Sequence, residues 1–166
     1  MDTTYADGRA LIDYLSNKGE VSLAQLYEDS LRKLLLLAAA SLFEQVIMDA
    51  LHGYCDKKTG SDACILSMVR IKVIKRQYFT YFDWDNRKAN PFFALLGDTV
   101  GEQLKADSKA DPMKQYMESF LEIGYLRNCM VHQNFASFSF DKTSAEVYEL
   151  YKGALNFVDK VRAALS

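Results

Sequence analysis

The stretch LLLLAAASLFEQVIMDAL, residues 34–51, decides how this chain folds. Its first ten residues are apolar or small on every side, and neither proline nor glycine interrupts the run. A run of this kind predicts a helix buried at the centre of a bundle. Its apolar part, residues 34–43, has about half the length that a membrane-spanning helix needs. We therefore expect a core helix and no association with a membrane.

The same helix extends in both directions from this stretch. Ser22 with Gln25 three residues later has the form of a capping box, so we expect the helix to begin there. Helical spacing of apolar residues continues to about Tyr54, and residues 55–64 are expected to form a loop. The side chains expected to face the core are Leu23, Leu26, Leu31, Leu34, Leu35, Ala38, Leu42, Val46 and Ala50.

Three further helices are predicted from periodicity and start signals. Residues 6–17 have a short amphipathic pattern. Residues 64–84 contain no turn residues, so a single helix is favoured there, although the VRIKV at 69–73 alternates as a strand would. A short helix is expected to begin at Asn90-Pro91, because proline suits the first helical position.

Two longer helices complete the chain. One spans residues 111–132, where an Asp-Pro pair again supplies the start signal. The other begins at Thr143, which forms a capping box with Glu146. Strand signals are too few for a sheet, so we predict an all-α bundle of four to five main helices in one domain, residues 1–166. The core stripe of the last helix is expected to be Val147, Leu150, Tyr151, Ala154, Phe157, Val158, Val161 and Leu165.

Composition limits the classes of function. Apolar residues make up 49% of the chain, charged residues 25%, and the net charge is −2, which is ordinary for a globular protein of the cytoplasm. This charge gives no bulk attraction to nucleic acid, although a local basic groove is compatible with it. The polar N-terminus has no signal-peptide pattern. Three cysteines without a Cys-x-x-Cys pair argue against disulfides or zinc, so we expect reduced, buried thiols.

A second stretch, EIGYLRNCMVHQNF at residues 122–135, carries the candidate chemistry. Asn128 and His132 are four residues apart and share a helix face, with Arg127 about 100° round from Asn128. Histidine exchanges protons near neutral pH, arginine presents a fork that fits phosphate, and asparagine adds a neutral donor and acceptor. These three side chains suit cleavage of an RNA phosphodiester without a metal or other cofactor, because the ribose 2′-hydroxyl can be the nucleophile.

The same residues have a simpler interpretation. A helix can carry three polar residues by accident, with the histidine buried against a carboxylate and the arginine on the surface. The pattern alone leaves both interpretations open.

The Arg-Asn-x3-His pattern of Arg127, Asn128 and His132 resembles the motif of the HEPN superfamily, in which a polar residue follows arginine and histidine follows after four to six intervening residues. Many members are metal-independent endoribonucleases of toxin, anti-phage and CRISPR systems. Residues 34–51 are similar to the long second helix of the RiboL-PSP-like HEPN group, which commonly has a glutamate where Glu44 stands.

The resemblance implies a two-fold homodimer whose two motifs meet in one composite cleft that binds RNA. One His132 would then act as the base and its copy as the acid, while Arg127 and Asn128 hold the phosphate. The products would be a 2′,3′-cyclic phosphate and a 5′-hydroxyl. A toxin or defence effector of this kind would need a cognate antitoxin or inhibitor protein. The alternatives are a non-catalytic HEPN module that binds RNA or a partner protein, and a helical adaptor without a nucleic-acid role.

One departure from the family pattern concerns regulation. HEPN proteins paired with nucleotidyltransferase antitoxins have a modified tyrosine two residues after the histidine, where this chain has Asn134. We therefore do not expect that form of control.

Supporting residues are expected on two other helices. Glu44 lies in the most apolar helix, where a carboxylate needs a partner, so we expect it to orient His132 or Arg127 or else to meet solvent or a lysine. A basic segment interleaved with aromatics follows. It could bind an RNA backbone, although a charged face over an aromatic core is the more common arrangement. Its basic residues are Arg70, Lys72, Lys75 and Arg76.

Overall fold

The computed structural model describes residues 1–60, 62–133 and 138–166. Within these ranges there is no β-strand, and a single isolated backbone bridge joins Asp83 to Lys88. The prediction of an all-α fold is therefore confirmed. The α-helices are α1 (Asp2–Asn17), α2 (Val21–Lys58), α3 (Ala63–Val69), α4 (Asn90–Leu95), α5 (Glu102–Asp107), α6 (Met113–His132) and α7 (Ser144–Ala164).

The helix α2 is the centre of the bundle, as its apolar run predicted. It packs against α1, α6 and α7, and Leu35, Leu36 and Ala39 expose no surface at all. It is longer than expected, since residues 55–58 are helical and only a short turn follows. The predicted capping box is wrong, because Glu20 is the N-cap and no side chain caps the helix there.

The core-facing side of α2 was predicted incorrectly. Leu31 and Leu35 are buried as expected, but Leu42 is exposed, and so are four other residues of the predicted stripe. We call these four the exposed α2 face: Leu23, Leu26, Leu34 and Ala38. A helix that is apolar all round has no periodicity that selects a buried face. The side of α2 that is buried is therefore determined by the packing of α1 and α7 against it.

Length and composition alone would allow α2 to cross a membrane, and among the described residues it is the one helix of this kind. One side of that apolar window is packed inside the bundle against α1 and α7.

The segment predicted as one helix over residues 64–84 is broken. After α3 the chain forms a π-helical turn, Arg70–Ile74, and then a 3-10 turn, Tyr78–Thr80. Between them Lys75 is extended, with ψ of 119°, and Arg76 is left-handed, with φ of 63°. A left-handed residue ends any right-handed helix, and β-branched side chains weaken helical preference just before it.

The chain after this break folds back as an aromatic layer on α6. The Tyr81 hydroxyl donates to the carbonyl of Val73, and the Trp84 indole Nε1 donates to the carbonyl of Phe79 at 3.0 Å. These two bonds fix residues 73–84 in a compact turn. The rings that form the layer and its contacts with the bundle are Phe43, Tyr78, Phe82, Trp84, Phe92 and Phe120.

The two C-terminal helices agree with their predicted start signals. The helix α6 follows Pro112 and ends at His132. The capping box of α7 is present, with Glu146 accepting from the Thr143 backbone N–H at 2.8 Å and Thr143 accepting from the Glu146 N–H at 3.2 Å. All residues of the predicted α7 stripe are buried except Leu150, which is half-buried.

The cysteines differ from expectation. All three are free, but Cys64 is exposed, and Cys55 and Cys129 are half-buried. Partial burial raises the pKa of the Cys55 thiol. The expectation of three buried thiols is therefore wrong.

Candidate functional site

Arg127 is held in a fixed position on α6 by the aromatic layer. Its guanidinium lies over the ring of Phe79, 4.0 Å from the ring centroid, which is a favourable cation–π distance. Phe79 is placed there because the Trp84 indole binds its backbone carbonyl. Arg127 also lines a small cavity of about 10 Å³ with Glu44 of α2. The side chain is therefore half-buried and oriented before any ligand binds.

The charge of Arg127 is not neutralised by a carboxylate. In the described ranges no acidic oxygen lies within 4.0 Å of its guanidinium. Its Nη1 donates to Oδ1 of Asn128 at 3.4 Å, so the structure brings these two predicted residues together. A half-buried guanidinium without a carboxylate partner retains its donors for an anion.

Glu44 shares the cavity of Arg127 but forms no ion pair with it among the described side chains. Burial raises the pKa of the neighbouring Tyr78 well above its ordinary value, the Glu44 carboxylate raises it further, and Arg127 partly opposes this. Glu44 is thus near Arg127, which was one of its two expected partners.

His132 is the last residue of α6, and its side chain is exposed. In the part of the chain that the structure describes, it has no hydrogen-bond partner. It lies five positions after Arg127, which corresponds to about 7.5 Å along an ideal helix and about 140° around it. Arg127 therefore faces the cavity while His132 faces solvent. Arg127 and Asn128 are in contact, and the expectation that all three motif residues border one groove stays a prediction.

The middle of α6 packs against the middle of α2. The ring of Phe120, near the centre of α6, is 5.9 Å from that of Phe43. After α6 the chain turns back, since Lys142 pairs with Glu122 at 3.8 Å and the carbonyl of Phe140 accepts from Nη1 of Arg32 at 2.8 Å. These contacts hold the residues before α7 between α2 and α6.

The four predicted basic residues are all exposed, but the structure divides them. Arg70 and Lys75 line a groove of about 740 Å³ against α2, whereas Lys72 lines a smaller pocket of about 280 Å³ beside Pro91. Arg76 occupies the left-handed position that ends the helix. None of the four has an ion-pair partner among the residues described.

Two contributions to this region could not be read from the sequence. Phe79 supports Arg127 although the two are far apart along the chain, and no motif marks it. His52 lies in the same groove as Arg70 and Lys75, although it stands outside the arginine–histidine motif. Asn134, the departure from the tyrosine-bearing HEPN pattern, lies outside the described residues. Within the described ranges no three His, Cys, Asp or Glu side chains cluster as metal ligands do.

Comparison with known proteins identifies the family. Neither the curated proteins nor the solved structures provide a match for this chain. The model of the RiboL-PSP-HEPN family matches residues 3–166, which is nearly the whole sequence. That match agrees with the all-α bundle. The protein therefore belongs to the RiboL-PSP-HEPN family, and the resemblance found in its sequence is confirmed.

Proposed function

We propose that this protein is a metal-independent endoribonuclease that acts as a homodimer. The observation that carries the proposal is the half-buried Arg127, fixed over Phe79 and free of any described carboxylate partner, on the same helix as the exposed His132. A permanent cation that is ready to bind phosphate and an imidazole that is open to solvent are the two groups that this chemistry requires.

The reaction begins with the ribose 2′-hydroxyl. A neutral His132 imidazole removes its proton, and the 2′-oxygen attacks the adjacent phosphorus. The bond from phosphorus to the 5′-oxygen breaks, and a protonated His132 of the second protomer gives its proton to that oxygen. The products are a 2′,3′-cyclic phosphate and a 5′-hydroxyl. Arg127 binds the non-bridging phosphate oxygens as their negative charge grows, and Asn128 positions them.

A second protomer supplies what one chain lacks. One chain has a single motif histidine, and it points about 140° away from Arg127. The exposed α2 face is an apolar surface, which suits a contact with its own copy about a two-fold axis. The proposed dimer would place the two His132 side chains at one interface.

Further residues are assigned by charge and position. Glu44 limits the ways in which Arg127 can turn, because both line one cavity. Arg70, Lys72, Lys75 and Arg76 lie on the segment that leads to Phe79, where unpaired cations would hold the RNA backbone. The cellular role proposed is that of a toxin or anti-phage effector in the cytoplasm, with an inhibitor protein that protects the host.

One observation favours a second candidate function. His132 has no described partner that would hold its ring in a fixed orientation, and productive proton transfer needs such positioning. A non-catalytic HEPN module that binds RNA or a partner protein through Arg127 and the basic segment would not require it.

The test uses purified protein with mixed cellular RNA in the presence of EDTA. The variants are Arg127→Ala and His132→Ala, with Arg162→Ala as a matched control, since Arg162 is an exposed arginine on α7 paired with Asp159. Cleavage that leaves 2′,3′-cyclic phosphate ends, persists in the control and is lost in both variants would establish the nuclease. Intact RNA with wild-type protein, together with RNA retention that Arg127→Ala abolishes, would establish the binding module instead.

A further inference from the structure

The groove between α2 and the α3 region has a chemically divided lining. Arg70 and Lys75 lie on the wall that contains the π-helical turn. Glu44, Gln45, Asp49 and His52 lie on the α2 wall, at successive positions along one side of the helix. The groove measures about 740 Å³, which is within the range of pockets that hold small organic ligands.

This division of charge does not suit a bare polyanion. A groove that only follows a phosphate backbone is lined by cations, and the carboxylates of Glu44 and Asp49 would repel such a ligand. A nucleotide fits better, because its phosphate needs cations whereas its base offers N–H donors. The apolar side chains of Ile71 and Ile74 also line the groove and offer a surface for the flat base.

The Asp49 carboxylate is oriented in advance. Nε2 of Gln45 donates to both of its oxygens at 2.9 Å, so the amide holds the carboxylate plane. An ionised carboxylate accepts hydrogen bonds and donates none. It therefore selects bases with adjacent donors on the Watson–Crick edge. Guanine has N1–H and N2–H₂ side by side there, whereas uracil has only N3–H between two acceptors.

The groove and the small cavity lined by Arg127 have one residue in common. Glu44 lines both of them. A nucleotide in the groove would therefore lie near a phosphate bound by Arg127.

We propose that this groove is a subsite for one guanine nucleotide of single-stranded RNA next to the cleaved phosphate, with Arg70 and Lys75 on its phosphate and Asp49 on its base edge. This inference rests on the proposed ribonuclease function, because it names the part of the RNA that the enzyme selects.

The direct test measures binding of 5′-GMP, 5′-UMP and inorganic phosphate to the full chain by calorimetry. We expect GMP to bind about tenfold or more tightly than UMP, as one good paired hydrogen-bond contact provides. Asp49→Asn should remove this preference, while Arg70→Ala with Lys75→Ala should weaken GMP and UMP alike. The matched controls are Asp98→Asn and Lys109→Ala, exposed residues outside the groove, which should change neither affinity.

Three results would overturn the subsite. In the first, the wild-type protein binds GMP and UMP with equal affinity. In the second, a folded Asp49→Asn variant keeps the preference for GMP. In the third, a guanine-containing oligoribonucleotide fails to displace bound GMP. The comparison of GMP with UMP uses wild-type protein only, so it tests the subsite even if a variant fails to fold. Displacement of GMP by the oligonucleotide distinguishes RNA from a free nucleotide as the natural ligand.

The cleavage assay separates this inference from the proposed function. If wild-type protein cuts RNA and depends on Arg127 and His132, but Asp49→Asn cuts the same sequences at the same rate, the subsite is wrong and the nuclease stands. If no variant or wild-type protein cuts RNA, but the binding results above are obtained, the groove stands and the nuclease is wrong.

Discussion

Trp84 packs its indole ring against the backbone of α6 at Gly124, one turn before Arg127. A Cβ atom at Gly124 would fall far inside van der Waals contact with the indole ring. Trp84 has little room to retreat, because it is 5% exposed and its Nε1 is bonded to the Phe79 carbonyl. The absence of a side chain at Gly124 thus allows the layer that carries Phe79 to approach α6 closely enough to reach Arg127.

Gly124→Ala should destabilise the protein, although alanine is the better helix former. Overpacking against a buried ring should lower the free energy of unfolding by about 1–3 kcal/mol. The measurement is urea unfolding followed by circular dichroism. Gly53→Ala is the control, because nothing lies within 4 Å of its added methyl group in α2, and it should raise stability by about 0.5–1 kcal/mol. Equal effects of the two substitutions would contradict the packing argument.

Glu28→Ala should destabilise the start of α7. The Glu28 carboxylate accepts from the backbone N–H of Ser144 at 2.6 Å and from its hydroxyl at 2.8 Å, and Ser144 is fully buried. Removal of the acceptor leaves buried donors without partners, so we expect a loss of about 1–3 kcal/mol in thermal or urea unfolding.

Two further variants make the Glu28 test specific. Glu28→Gln retains one acceptor oxygen, so its free energy of unfolding should fall less than that of Glu28→Ala. Glu149→Ala removes an exposed carboxylate of α7, paired with Lys152, and should stay within about 0.5 kcal/mol of wild type. A Glu149→Ala loss as large as that of Glu28→Ala would show that α7 is sensitive to charge in general.

The fold was predictable where the sequence signal is local. The start of α7 at the Thr143–Glu146 capping box and the extent of α6 were predicted well, because each depends on neighbouring residues. The buried face of α2 depends on which helices arrive against it, and an all-apolar helix does not encode that choice. The break at Lys75 and Arg76 was missed because both residues are good helix formers, and the strain there is imposed by tertiary packing.

Stability should fall at alkaline pH because of Tyr81. Burial, with the nearby Cys55, raises the pKa of Tyr81 from 10 to about 12. The folded protein therefore holds this proton where the unfolded chain has released it, so stability is intact below pH 10 and declines as pH rises from 10 towards 12. Urea unfolding at pH 8 and pH 11 measures the decline.

Tyr81→Phe isolates this contribution. The variant loses the hydrogen bond to the Val73 carbonyl, so it should be less stable than wild type at pH 8. It should nevertheless lose less stability between pH 8 and pH 11, because one late-titrating hydroxyl is gone. The decline should persist in part, since burial also raises the pKa of Tyr78. Parallel declines in the two proteins would contradict the assignment.

Leu34→Glu should dissociate the proposed dimer without unfolding the protomer. Leu34 is 52% exposed at the centre of the exposed α2 face, so a charge there costs little in the monomer but would be desolvated in a dimer. Sedimentation gives the mass, and circular dichroism reports the helices. Leu95→Glu, at a leucine that is 44% exposed on α4, should remain dimeric. A monomeric wild-type protein that still cleaves RNA would rule out the composite site.

The site was less predictable than the fold, for a physical reason. Arg127, Asn128 and His132 were found because they are close in sequence. Glu44 was expected beside Arg127 because a carboxylate in an apolar helix needs a partner, whereas Phe79 reaches Arg127 only after the chain folds back on itself. The angle of about 140° around the helix between Arg127 and His132 follows from helix geometry. Spacing alone could not show that Arg127 lines a cavity and that His132 is exposed to solvent.

The contact between Phe79 and Arg127 couples the position of the segment from Arg70 to Phe79 to the orientation of Arg127. One end of the segment forms a wall of the groove, and the other end supports the guanidinium on α6. The residues of α3 just before it bury no side chain fully, so this segment is held mainly by Ile74 and the buried residues that follow it. An inhibitor protein of the proposed ribonuclease could therefore act at a distance from Arg127. It would need only to move this segment away from α2, which would remove the support of Arg127 and leave His132 in place.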